Sequence, residues 1–135
     1  MLQFYFLSIV LNSIAGYLLI AKDDDEGLEF KSGFSIKDET FRLVVAALSA
    51  ITGLFKILSA IEGDVRVIGD LVPALAGFLA GLVLFFEHSR NNLSQDEPEY
   101  QGKVGLILIS NKRAIGITAV IAAALHFFFP SVLLL

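Results

Sequence analysis

Asn12, Lys56, Asp70 and His126 each interrupt a long apolar run of this sequence. An ionisable group in such a run is costly in lipid, so it calls for a partner or a purpose. Lys56 lies seven residues before Gly63 and Asp70 seven after it. In an antiparallel helical hairpin turning at Gly63, equal distances from the turn mean equal depth. The expectation is therefore an ion pair between Lys56 and Asp70, with Arg66 one helical turn from the carboxylate and able to share it. The alternatives are a substrate or ion site at the same place, and Lys56 snorkelling to the surface alone. Asn12 and His126 add one polar group from each remaining run. Together the five could line one outward-facing pocket. As separate hydrogen-bonding points between helices they need no further purpose, and that is the preferred reading.

Other chemistry is poorly served. Neither His88 nor His126 has metal-ligand spacing, and His88 after Glu87 suits a helix C-terminus as a cation. The acidic turn Asp23-Asp24-Asp25-Glu26-Gly27 fails as a calcium loop. With Gly27 at the sixth position, Lys22 falls at the first and Gly33 at the twelfth, where acids are needed. No nucleophile, base and electrophile can be grouped at one depth. Cysteine is absent, which excludes a disulfide framework, a thiolate metal site and a cysteine nucleophile. No basic stripe suggests nucleic acid. The expectation is no enzyme, no metal and no cofactor.

The elements that must hold these residues are membrane helices. The 135 residues are 56% hydrophobic and 18% charged, with a mean hydropathy of +0.74. The apolar excess sits in runs separated by charged patches. About 20 apolar residues cross a bilayer core of about 30 Å, and the runs predict spans at about 2–21, 42–61, 66–87 and 113–134. A re-entrant hairpin over 43–86 is the alternative for the middle two. Span one has no basic residue before Lys22 and no small-x-small cleavage site, so it reads as an anchor rather than a cleaved signal.

Basic residues fix the expected orientation. Lys22, Lys31, Lys37 and Arg42 belong to loop 22–41 and its edges; Arg90, Lys103, Lys112 and Arg113 belong to loop 88–112 and its edges. Between spans two and three only Arg66 is found, and neither terminus has any. The positive-inside rule then places both long loops in the cytoplasm and both termini outside, in a multi-pass protein of the cell (inner) membrane. Segments 28–36 and 100–109 both show apolar alternation, a strand signal. They are expected either to pair as a short β-ribbon or to lie as irregular loops against the headgroups.

Each span also has a face of small residues: Gly16 with Ser8 and Asn12, Gly53 with Ala46 and Ala50, Gly77 and Gly81 with Pro73, and Ala119 with Ala123. Small residues let helices approach closely where lipid supplies no hydrophobic drive. These faces can all be used within one bundle, or the Gly77–Gly81 face can bind another chain. The resulting expectation is an all-α membrane protein, a four-transmembrane-helix bundle with a small cytoplasmic part. Its expected role is that of a structural or accessory subunit, working through helix contacts and cytoplasmic loops, with the bilayer, other membrane subunits or a second copy as partners. The alternative is a small transporter or channel component using Lys56, Asp70, Arg66, Asn12 and His126.

Overall fold

A computed structural model describes residues 2–21, 38–60, 71–92 and 102–129. These residues form five α-helices: α1 (Leu2–Ile20), α2 (Glu39–Ala60), α3 (Leu71–Asn92), α4 (Lys103–Ser110) and α5 (Lys112–Phe128). The helix boundaries follow from local chemistry. The side chain of Asp38 accepts the N–H of Thr40 at 3.0 Å, and Glu39 places a carboxylate in the first turn. Both satisfy the electropositive start of α2. The helix thus begins inside the segment expected to be loop, because Asp38 is an N-cap. Pro73 lies in the first turn of α3, where its missing N–H costs little. α3 then continues to Asn92, past the expected end of span three, and Arg90 in its last turn suits the helix C-terminus.

The break between α4 and α5 has a similarly local cause. The carbonyl of Ile107 accepts three donors: Ser110 Oγ at 2.9 Å, Asn111 Nδ2 at 2.8 Å and Asn111 N–H at 3.2 Å. Side chains that bond the preceding turn compete with helix continuation. Asn111 adopts φ −103° and ψ 11°, and the two axes differ by 65°.

Segment 100–109 is thus not a strand where it is described, since Lys103–Ser110 is helical. Only its first residues alternate; Leu106-Ile107-Leu108-Ile109 is a continuous apolar run, whose periodicity cannot separate strand from helix. A helix closes its own backbone hydrogen bonds, which matters in an apolar setting without a paired strand. Among the described residues no strand is present. Segment 28–36, the expected partner, lies outside them.

The four longer helices run in alternating directions. Tyr5 of α1 meets His126 of α5, while Gly16 meets Gly116, so α1 and α5 are antiparallel. Arg42 bonds Glu87 and Gly53 lies on Ala74 and Phe78, so α2 and α3 are antiparallel too. Lys56 reaches His126, and Arg42 shares Glu87 with Lys112, so α2 runs parallel to α5. One end of the molecule therefore carries the start of α1, the start of α3, and the ends of α2 and α5. The other end carries Ile20, Arg42, Glu87 and α4.

The interior is made of small side chains. Ala15, Ala46, Ala76, Ala80, Ala119 and Ala122 are buried with Leu18, Leu19, Val45, Val83 and Leu84. The large apolar groups point the other way. Val44, Leu48, Ile51, Phe55 and Leu58 of α2 are exposed, as are Phe6 and Val10 of α1 and Ile117 and Ile121 of α5. In water this would leave several apolar faces uncovered; in lipid, close packing of small residues with large ones outside is the usual arrangement. Two helices, Glu39–Leu58 of α2 and Leu71–Asn92 of α3, are long and apolar enough to cross a membrane. The bent α4–α5 pair gives a third if taken as one span, and Tyr5–Ile20 is a shorter apolar helix.

Candidate functional site

Two buried ionisable groups, one on α2 and one on α5, meet near one end of the molecule. Lys56, near the end of α2, is only 8% exposed, and His126, in the last turn of α5, 1%. Their Nζ and Nε2 atoms are 3.4 Å apart. A lysine ammonium can only donate, so in that state of Lys56 the Nε2 of His126 is the acceptor.

Tyr5 of α1 closes the site from the other side. Its ring lies on the His126 imidazole with centroids 4.6 Å apart, and its hydroxyl donates to the His126 carbonyl at 2.7 Å. The sequence explains why that carbonyl is available. Within a helix it would accept the N–H four residues on, but that residue is Pro130, which has none. Tyr5→Phe keeps the ring and removes the donor. It is expected to lower stability by about 1 kcal/mol, measured as a lower unfolding midpoint in detergent. An unchanged midpoint would mean that water serves the carbonyl equally well.

Asn12, one helical turn and more along α1, is 2% exposed. Its Nδ2 donates to the carbonyl of Pro73 at 2.8 Å, and its Oδ1 occupies the space above Gly77, where a Cβ would collide with it. Proline and glycine thus provide an acceptor and room for the amide. At Gly81, one turn further, the neighbour is α2: a Cβ there would lie 2.6 Å from Ala50 N and 2.7 Å from Ala46 O. Both glycines of the expected packing motif face the interior, one toward α1 and the other toward α2.

A second charged group sits at the opposite end. Glu87 of α3 accepts Arg42 of α2 at 2.7 Å and Lys112 of α5 at 2.6 Å, with its side chain 14% exposed. One carboxylate thus joins three helices. Nearby, His88 Nδ1 is 3.7 Å from Glu39 Oε1, and Asn92 donates to the same carboxylate at 3.4 Å.

The structure brings Lys56 and His126 together and places Asn12 on α3. Asp70 and Arg66 lie outside the described residues, and so does the expected Lys56–Asp70 pairing. Sequence reasoning passed over Tyr5 and the role of Glu87. Pro130 four residues after His126 was the available signal for the first. For Glu87 the signal was an acid at the end of a span, with basic residues at the matching ends of two others.

No solved structure matches the chain. A protein of Treponema pallidum (strain Nichols), described only as an uncharacterized protein, is 34% identical over 135 residues, covering all of both chains. A family model matches residues 1–126, which include every helix up to the last turn of α5. The chain belongs to that family, one whose function is unknown.

Proposed function

We propose that this is a four-span integral membrane protein that acts as a structural or accessory subunit through helix contacts and its cytoplasmic loops. One observation carries the reading: three polar contacts of the interior join different helices of the same chain. Asn12 holds α1 to α3, Tyr5 holds α1 to α5, and the Lys56–His126 pair holds α2 to α5. Such bonds act as glue between membrane helices. The lengths allow four spans: α1 has 19 residues and α5 has 17, about 28 Å and 25 Å at 1.5 Å per residue. Native mass spectrometry of the protein released from a mild detergent tests the role. A second subunit at fixed stoichiometry supports it, whereas a stable assembly of this chain alone would count against it.

A second reading, a small transporter or channel component, is favoured by the Lys56–His126 pair itself. Two adjacent ionisable groups inside membrane helices are a common basis for ion or proton handling. Flux into proteoliposomes that is lost in Lys56→Met, in a protein that stays folded, would favour this reading over the first.

The orientation follows from the basic residues. Arg42, Arg90, Lys103, Lys112 and Arg113 lie at the Glu87 end, which we place in the cytoplasm. The starts of α1 and α3 then lie outside. Because the chain has no native cysteine, single cysteines give a direct check. Cysteines beside Gly63 and after Leu135 should react with an impermeant thiol reagent added to intact cells. Reaction near Ser94 instead would invert the protein.

A further inference from the structure

α4 is too short to cross a bilayer and apolar on nearly every side. Its eight residues span about 12 Å, and polar groups occur only at its ends. Gly105 faces the protein, where a Cβ would meet the Phe86 ring of α3 at 3.3 Å. Val104, Leu106 and Ile107 face outward, with 66%, 55% and 61% of their surface exposed. A helix that is apolar all round belongs in an apolar medium. Its angle gives the placement. If α5 runs along the membrane normal, a 65° bend leaves α4 about 25° from the membrane plane. Its depth is that of Phe86, next to the Arg42–Glu87–Lys112 group.

The charges within α4 and just after it, Lys103, Lys112 and Arg113, have one sign. Lys103 is the first residue of α4 and Arg113 follows the helix, both exposed, with Arg90 exposed in the last turn of α3. Lys112 is engaged by Glu87. Among the described residues, Lys103, Arg113 and Arg90 form no ion pair. We propose that α4 lies in the cytoplasmic surface of the bilayer, with Val104, Leu106 and Ile107 in the acyl boundary and Lys103 and Arg113 on the phosphates of anionic phospholipids. Apolar insertion with flanking basic residues is how interfacial helices bind such membranes. The inference rests on the membrane reading above.

The test uses the full chain in proteoliposomes of phosphatidylcholine, alone or mixed with phosphatidylglycerol. A fluorescent probe is attached to a single cysteine replacing Ile107, and in a separate protein to one replacing Ile51 on the outer face of α2. The Ile107 probe should be quenched by lipids with a quencher near the glycerol end of the acyl chain, and be several-fold less accessible to aqueous iodide than free probe. Iodide access equal to that of free probe overturns the placement. Quenching that vanishes when labelled protein is diluted with unlabelled protein also overturns it, because it assigns the face to a second copy. If the Ile51 probe too escapes the acyl quenchers, the membrane reading itself fails. Electron spin resonance with spin-labelled lipids tests the headgroup. The shell lipids should favour phosphatidylglycerol over phosphatidylcholine, by at most about five-fold per basic residue. Lys103→Gln with Arg113→Gln should bring that ratio toward one. A ratio of one in the unaltered protein overturns the anionic assignment.

Discussion

Gly81→Ala is expected to destabilise the protein by about 2 kcal/mol, although alanine is the better helix former. In an exposed helix the change gains up to about 1 kcal/mol. At Gly81 the added carbon would stand 2.6 Å from the backbone nitrogen of Ala50 and 2.7 Å from the carbonyl oxygen of Ala46. Neither neighbour is the end of a flexible side chain, so relief requires α2 and α3 to move apart. That movement opens gaps along a seam that also includes Gly53, set against Ala74 O and Phe78 N. Overpacking of this kind typically costs about 1–3 kcal/mol. Gly102→Ala is the control: nothing lies within 4 Å of its added carbon, and its effect should stay within about 0.5 kcal/mol. Unfolding in a mixed-detergent titration measures both. Equal midpoints for the two variants would show that the α2–α3 seam is looser than its geometry implies.

His126→Leu should be more damaging, by about 3 kcal/mol. The substitution takes from the Lys56 ammonium an acceptor 3.4 Å away, and hydrogen bonds to charged groups typically contribute about 1.5–3 kcal/mol. The opposite change is milder. In Lys56→Met no buried ammonium remains, so the loss is nearer a single hydrogen bond, about 1 kcal/mol. The order of effects is thus His126→Leu above Lys56→Met, with the double variant more stable than His126→Leu alone. Thermal unfolding of the three proteins in one detergent is sufficient. Additive effects in the double variant would remove the case for a coupled pair.

The parts of this protein legible in the sequence were those set by long apolar runs and small-residue spacing. The runs coincide with α1, α2, α3 and α5, although α3 extends five residues past the expected 87. Steps of four from Pro73 to Gly77 to Gly81 identified the buried face of α3, because three or four residues return a helix to the same side. Element ends were harder to read. Asp38 capping α2, and Ser110 with Asn111 drawing the Ile107 carbonyl away from the next helix, are local bonds that hydropathy does not register. Alternation misled at 100–109, because Lys103 and Gly105 broke an apolar run into an apparent period of two. The polar site was half legible. Equal spacing about Gly63, which lies outside the described residues, speaks only of α2 and α3; it says nothing about α5, which brings His126 to Lys56 from 70 residues further along the chain.

The pairing of α1 with α5 also constrains how the molecule is made. Tyr5 and His126 are 121 residues apart in the chain, and Gly16 rests on Gly116. A nascent chain leaves the ribosome from its N-terminus, so α1 enters first and its closest partner enters last. In between, α2 and α3 are contiguous and can join through Gly53 and Gly81 as soon as both are present. During that interval the first helix meets the pair through its core side chains Ala15, Leu18 and Leu19 and through the Asn12–Pro73 hydrogen bond, with its Gly16 face still uncovered. The Asn12 amide is thus the side-chain hydrogen bond that α1 can already make to α3 before the last helix arrives.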